Sequence, residues 1–136
     1  MTDWNAAVIE EFRANNGQIV DGQMKGWPIV LVHHTGAKTG TERVNPLVYQ
    51  QLDGDTVAVF ASKAGATTNP DWFHNLVAHP DTSIEIGTET RPVHARIADG
   101  EERERIWSKQ KELFPQFAEY EETANREIPV VVFEPR

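Results

Sequence analysis

The sequence contains no cysteine, which excludes disulfide bridges, iron–sulfur clusters and thiol catalysis. It also lacks a signal-peptide pattern and any apolar run long enough to span a membrane, so we expect a soluble cytoplasmic protein. Positive charge is scarce, because 13 Lys and Arg stand against 21 Asp and Glu, giving a net charge of −8. Such a chain repels nucleic acid and anionic lipid, and neither is expected as a partner. An anionic ligand would need a local cluster of cations.

Common metal-binding and hydrolase motifs are missing as well. His33 and His34 are adjacent on a predicted strand, so their side chains point to opposite faces and cannot share one ion. The other histidines also lack ligand spacing, and we predict no metal cofactor. Ala37 stands directly before Lys38, where a phosphate-binding P-loop requires glycine. Ser62 has no Gly-x-Ser-x-Gly context, so a hydrolase triad is unsupported.

The remaining pattern is typical of a small, mainly β protein. The 136 residues and 39% hydrophobic content predict one domain, 1–136, with one core. Short turns between strands, among them Asp53-Gly54, favour an antiparallel sheet. Asp99 and Glu102 predict a capping box. Helices are predicted at 3–16, 71–78, 99–113 and 116–123, and strands at 29–32, 43–51, 56–60, 82–86, 91–97 and 128–133. This order predicts an α+β fold: six antiparallel strands in a closed or split barrel with flanking helices.

Three segments are candidates for a binding site. The turn 36–43 is bracketed by glycines and carries Lys38 and Arg43, which suits an anion, although a plain hairpin is the alternative. In segment 44–48, Pro46 requires a bulge or an unpaired strand edge, where a planar ring could bind. Segment 61–76 combines a strand end, a loop of small residues and a helix N-terminus, which favours anions and amide contacts.

Taken together, these segments resemble the deazaflavin-dependent nitroreductase family of actinobacteria, which are split β-barrel proteins that bind coenzyme F420. The family pattern Gly-Arg-x-Thr-Gly-x-x-Arg-x-x-Pro-Leu corresponds to residues 36–47. The pattern Ser-Lys-Gly-Gly-Ala-x-x-x-Pro-x-Trp-Tyr-x-Asn-Leu-x-Ala-x-Pro corresponds to residues 62–80. Segments 114–120 and 126–132 match too, so the resemblance covers nearly the whole chain and implies a six-stranded split barrel.

The resemblance also implies roles for individual residues. Lys38 and Arg43 would hold the cofactor phosphate, and Ser62 and Tyr120 are the expected catalytic residues. The expected cofactor-binding residues are Ala37, Lys38, Thr39, Arg43, Val44, Asn45, Pro46, Leu47, Val48, Ala61, Ser62, Lys63, Asp71, Trp72 and Asn75. The expected substrate-binding residues are Phe114, Phe117 and Tyr120.

The implied activity is hydride transfer from reduced F420 to an activated alkene, a quinone or a nitro acceptor. Because the cofactor supplies the hydride, the protein needs only to orient two rings and stabilise charge on the acceptor. Relatives carry tyrosines where this chain has Phe114 and Phe117, which cannot hydrogen-bond a nitro or carbonyl oxygen. We therefore expect an apolar enone or quinone acceptor.

Two alternatives stay open at this point. One is a relative that uses FMN in the same barrel, and the other is a non-catalytic F420-binding or storage protein. Ala37 replaces an arginine of the family pattern, which removes one expected phosphate contact. A homodimer is expected only by analogy with other split barrels.

Overall fold

Six antiparallel strands form the centre of the molecule in the computed structural model, which describes residues 2–20, 25–62, 65 and 67–136, with side chains from residue 6 onward. The strands are β1 (Ile29–Thr35), β2 (Glu42–Gln51), β3 (Val57–Phe60), β4 (Asp81–Ile86), β5 (Glu89–Ile97) and β6 (Val130–Pro135). They close a barrel in the order β1-β2-β3-β6-β5-β4, with β4 paired to β1. The helices are α1 (Thr2–Ala14), α2 (Asp71–Ala78), α3 (Gly100–Leu113) and α4 (Gln116–Ala124).

The predicted α+β barrel with flanking helices is confirmed, and α2 has the predicted bounds. The last strand begins at Val130, two residues later than predicted. No helix among the described residues is long and apolar enough to cross a membrane.

Side-chain alternation along the strands separates the barrel interior from its outer surface. On β1, Val30 and Val32 point inward, where they join a core that Trp72 and Leu76 of α2 close at one end. Leu31 points outward to a second cluster beneath α1. A third cluster lies between β3, β6 and the helices α3 and α4. The strand pattern therefore sets α2 against one end of the barrel and α4 on its outside.

Pro46 lies where the pairing of β2 with β3 has ended. The ladder between β1 and β2 is regular from Ile29–Val48 to Thr35–Glu42, so β2 has no bulge on that side. The N–H of Tyr49 donates to Pro28 O at 3.0 Å, and alternation therefore turns the nitrogen of Pro46 toward β3. The β2–β3 ladder extends only from Gln51–Val57 to Tyr49–Val59. Of the two alternatives for Pro46, the unpaired edge is confirmed, because proline has no N–H to continue the ladder.

The start of α3 differs from the expected capping box. Asp99 is the N-cap residue, but its side chain makes no capping hydrogen bond. The Glu102 carboxylate instead accepts two hydrogen bonds from Arg96 on β5, at 2.6 and 2.8 Å. The capping-box prediction was wrong because a guanidinium on the neighbouring strand offers Glu102 a charged partner, which a backbone amide does not.

Candidate functional site

The turn between β1 and β2 presents free backbone amides. The N–H of Gly36 donates to Thr41 O at 2.8 Å, and that of Gly40 donates to Gly36 O at 2.9 Å. A Cβ on Gly36 would lie 2.5 Å from Thr39 Oγ1, so a larger residue here would require the Thr39 side chain to move. The amides of Lys38 and Thr39 form no hydrogen bond with any described residue. Two N–H groups are therefore available to an anion.

The same turn carries two cations without acidic partners. Lys38 and Arg43 are exposed, and neither forms an ion pair with a described residue. They line a cavity of about 520 Å³ together with Asp71, His74 and Asn75 of α2. The fold thus brings Ala37, Lys38, Thr39, Arg43, Asp71 and Asn75 from the sequence-predicted set to one cavity. Its donors suit an anionic group such as a phosphate.

A histidine that the sequence analysis left without a role connects the turn to its surroundings. His34 is 3% exposed and lies within hydrogen-bond distance of Asn45 on β2 and Asn75 on α2. Asn75 in turn accepts a hydrogen bond from the Ala37 amide. Burial is the main cause that lowers the pKa of His34. The available signal was its alternation with Val30 and Val32, which turns its side chain toward the end of the barrel.

The β2 segment offers different groups to its two sides. Val44 and Val48 pack toward α1, whereas Leu47 packs against the barrel interior. Alternation directs the backbone carbonyls of Val44 and Pro46 toward the unpaired edge. A ligand at this edge would therefore meet backbone groups of Val44, and not its side chain.

Arg126, at the start of the matching segment 126–132 but without an expected role, holds the loop between β3 and α2. Arg126 donates to Asn69 Oδ1 at 2.5 Å and to Thr68 O at 2.9 Å. It also donates to the carbonyls of Ala61 and Ser62 at 3.2 and 3.4 Å. Both ends of the loop thus converge on one guanidinium.

The other expected cofactor contacts in segment 61–76 differ in how deeply they are buried. Ala61 and Ser62 are buried, and Trp72 belongs to the core of the barrel. The Ser62 hydroxyl makes no hydrogen bond with the described residues. Lys63, an expected cofactor contact, lies outside the described residues.

Helix α4 packs directly on the same loop. Gly65 has a φ of +86°, and a Cβ on it would lie 3.3 Å from Tyr120 Cα and from Thr123 Cβ. The predicted catalytic residue Tyr120 is half-buried, and its hydroxyl has no hydrogen-bond partner in the described part of the chain. The backbone of α4 at Tyr120 thus lies against Gly65, and the Tyr120 hydroxyl is an unused donor among the described residues.

The two phenylalanines of the expected substrate set lie in an aromatic cluster. Phe117 is 5% exposed, and its ring centroid lies 5.6 Å from Phe60, 6.1 Å from Trp107 and 5.2 Å from Tyr120. Phe114 is half-buried, with its ring 5.6 Å from Trp27. Packing accounts for Phe117, while substrate contact by these residues stays a prediction. Among the described residues, none that forms this cluster also lines the cavity beside the Lys38–Arg43 turn.

Comparisons with known proteins show that this chain is similar to reductases that use F420. Residues 4–135 match the family model described as F420H(2)-dependent quinone reductase. The F420H(2)-dependent quinone reductase Rv1261c of Mycobacterium tuberculosis is 36% identical over 124 residues, which cover 89% of this chain and 83% of that protein.

Two solved structures are also similar. An F420-H2 dependent reductase (FDR-A) has 41% identity and a TM-score of 0.71, over 79% of this chain and 94% of the other. A protein described as a domain-swapped dimer has 37% identity and a TM-score of 0.73, over 98% of each chain.

Proposed function

This chain belongs to the F420H(2)-dependent quinone reductase family and is an oxidoreductase that uses F420; from that premise we propose how its residues bind the cofactor and reduce a quinone. The observation that carries the proposal is the cavity between the 36–43 turn and α2, whose two cations and two backbone amides have no partner in the described part of the chain. When bound, reduced F420 supplies the hydride. The protein has to hold and orient the two reactants.

The turn binds the phosphate of the cofactor. Lys38 and Arg43 supply charge, and the amides of Lys38 and Thr39 supply directed hydrogen bonds. This donor set fits a phosphate even though Ala37 has no side-chain donor, because Arg43 can bind two phosphate oxygens at once. In a protein of net charge −8, a local excess of cations is needed to attract an anionic cofactor.

The unpaired edge of β2 receives the deazaflavin ring. The backbone carbonyls of Val44 and Pro46 on one side, and the Ser62 hydroxyl on the other, offer polar groups to a planar ring with its own donors and acceptors. The N–H of Ala61 already donates to Pro129 O, and its carbonyl accepts from Arg126, so Ala61 would contribute its small side chain. Behind this edge, Leu47 packs in the barrel interior with Trp72, and Asn45 bonds to His34. Asp71 lines the neighbouring cavity beside the turn. Arg126 keeps the Ala61–Ser62 side in place.

The acceptor quinone would bind beside α4, where Tyr120 and Phe114 could contact it. The Tyr120 hydroxyl, which has no partner among the described residues, donates a hydrogen bond to the acceptor oxygen on which negative charge develops. Phe114 adds apolar surface next to it, which favours flat acceptors of low polarity. Ser62 is the second polar group available near this position.

We also propose an oligomeric state, a class of partner and a cellular location for the enzyme. A homodimer is supported by the solved relative described as a domain-swapped dimer. The acidic composition supports a small-molecule acceptor and argues against nucleic acid as a partner. We place the enzyme in the cytoplasm, where the reduced cofactor would be its reaction partner.

The first experiment separates an enzyme from a binding protein. Purified protein is titrated with F420 and with FMN, with tryptophan fluorescence as the signal, and the reduced F420 complex is then mixed anaerobically with menadione. Saturable F420 binding followed by oxidation of the reduced cofactor supports the proposal. Binding without turnover would support a storage role, and tighter binding of FMN would contradict the proposed cofactor site.

The second experiment tests Tyr120. Removing its hydroxyl in Tyr120→Phe should lower kcat/KM for menadione about tenfold, which corresponds to about 1.4 kcal/mol, because a donor to the developing charge is lost. F420 affinity should stay unchanged, since the ring is retained. Tyr49→Phe is the matched control, because Tyr49 packs against the barrel interior. A lower Tm with unchanged turnover would instead make Tyr120 a packing residue.

A further inference from the structure

His34 occupies the junction of three elements of the candidate site. Its Nε2 lies 2.7 Å from Asn45 Oδ1 on β2, and its Nδ1 lies 2.9 Å from Asn75 Nδ2 on α2. Asn75 Oδ1 lies 2.9 Å from the amide nitrogen of Ala37 in the turn. With 3% of its surface exposed, His34 has almost no water to replace these partners. One imidazole thus connects the turn, the strand and the helix.

One backbone N–H group, that of Ala37, fixes the donor and the acceptor of each hydrogen bond in the series Ala37–Asn75–His34–Asn45. The Ala37 N–H can only donate, so the Asn75 atom facing it must be the oxygen. The Asn75 NH2 group then faces His34 Nδ1, which has to accept and therefore carries no proton. The proton of a neutral imidazole is on Nε2, from which it donates to Asn45 Oδ1.

We propose that His34 is a positioning residue whose neutral form holds the 36–43 turn in its anion-binding shape, so that protonation releases the turn and weakens cofactor binding. The inference rests on the proposed function, because the turn is the proposed phosphate site. Protonation would set an Nδ1–H donor against the Asn75 NH2 group. Rotating the Asn75 amide would only move the mismatch, because its NH2 group would then face the Ala37 N–H.

The neighbouring charges act on His34 from several elements. Burial lowers its pKa most, the hydrogen bond with Asn45 opposes this, Arg43 on β2 and His33 lower it, and Asp71 on α2 raises it. His74 lines the same cavity from α2. On β4, Glu85 lies on the other face of the sheet, where it is bonded to His33. The neutral imidazole required by the hydrogen bonds is thus also the form favoured by burial.

The pH dependence of cofactor affinity expected from these hydrogen bonds is opposite in direction to the one expected from charge alone. An additional positive charge next to the turn would attract an anionic cofactor more strongly, so affinity would rise as the pH falls. The hydrogen-bond chain predicts the reverse, because a buried donor facing another donor is unsatisfied and the turn loses its contact with Asn75. The direction of the pH dependence therefore distinguishes the two.

The first test needs no cofactor. In the free wild-type protein, NMR should find the His34 imidazole in the Nε2–H form at pH 8, and its titration should be followed by the Ala37 amide with the same midpoint. The protection factor of the Ala37 amide, which corrects exchange for its intrinsic pH dependence, should fall over that transition, whereas the protection factor of Gly54 in the β2–β3 hairpin should not change. An Ala37 amide that ignores the His34 titration would overturn the inference.

The second test measures F420 affinity between pH 8 and pH 5 in wild type, His34→Gln and His33→Gln. Wild type should bind about fivefold or more weakly after His34 is protonated, which is the scale of one unsatisfied buried donor. His34→Gln cannot titrate and should lose this part of the pH dependence. His33→Gln, altered on the opposite face of the strand, should keep the wild-type profile.

The outcomes of this test are separable. Affinity that rises on acidification, or a wild-type profile in His34→Gln, would contradict the role of His34. Absence of F420 binding at every pH would contradict the proposed function, while the apo NMR test would still decide the behaviour of the turn.

Discussion

The two parts of the proposed site, the turn with α2 and the aromatic cluster with α4, are stabilised by different forces. The turn is held by hydrogen bonds through His34 and Asn75, and its cations stay exposed. The aromatic cluster is held by apolar packing around Phe117, which is 5% exposed. Changes in the turn should therefore alter binding with little effect on folding, whereas changes in the cluster should alter folding first.

The largest expected effect comes from Phe117→Ala. Deleting a buried ring that contacts Phe60, Trp107 and Tyr120 should lower the free energy of unfolding by about 3–5 kcal/mol, because buried apolar area is lost and a cavity is left behind. Urea denaturation measures it. The half-buried Phe114 is the control, and Phe114→Ala should cost less. Unchanged stability with altered kcat/KM would make Phe117 the substrate contact that the family resemblance implies.

Arg126 follows α4 in the sequence and binds the loop that leads into α2, so it connects the two parts of the proposed site. Arg126→Ala should lower the free energy of unfolding by about 2–3 kcal/mol, because hydrogen bonds from a charged group to both ends of the 61–69 loop are lost. It should also weaken F420 binding through Ala61 and Ser62. Arg126→Lys should rescue little, because an ammonium cannot reproduce the planar fork.

The control for Arg126 is an arginine without this connection. Arg105 on α3 is exposed and forms no ion pair with a described residue, so Arg105→Ala should leave both quantities unchanged. Equal effects of Arg126→Ala and Arg105→Ala would mean that the loop does not depend on the guanidinium.

A smaller effect, confined to binding, is expected for the cations of the turn. Lys38→Ala and Arg43→Ala should each weaken F420 binding by about 1.5–3 kcal/mol, the scale of a charged hydrogen bond, and the effect should shrink at high salt. Unfolding should not change, because both side chains are exposed. Lys109→Ala on α3 serves as the matched lysine. Unchanged affinity in both turn variants would leave a plain hairpin.

The smallest effect is a pH dependence of stability. Since burial lowers the pKa of His34 from 6.5, the unfolded chain takes up a proton at a higher pH than the folded chain. The His34 contribution is therefore complete above about pH 6.5 and decreases as the pH falls toward the lowered pKa, by at most about 1.4 kcal/mol per pH unit. Urea titrations of wild type and His34→Gln measure the difference. If the free energy of unfolding changed equally with pH in wild type and in His34→Gln, this contribution of His34 would be contradicted.

The sequence predicted the elements well because hydrophobic runs, turn residues and Pro46 act locally. It also singled out the turn and the helix that line the candidate cavity, because Gly36, Lys38 and Asn75 belong to the motifs that carry the family resemblance. His34 was missed because its role depends on Asn45 and Asn75, which meet it only after the barrel closes. Phe117 illustrates the opposite difficulty, because an aromatic residue in a helix has the same pattern whether it faces a core or a ligand.

Pro46 has a further consequence for the behaviour of the protein at high concentration. An unpaired strand edge is a template to which a strand of another molecule can add, and such addition is a common start of aggregation. At this edge the nitrogen of Pro46 carries no hydrogen, so an incoming strand would meet a gap in its ladder. Pro46 thus makes this unpaired edge of β2 a poor partner for polymerisation.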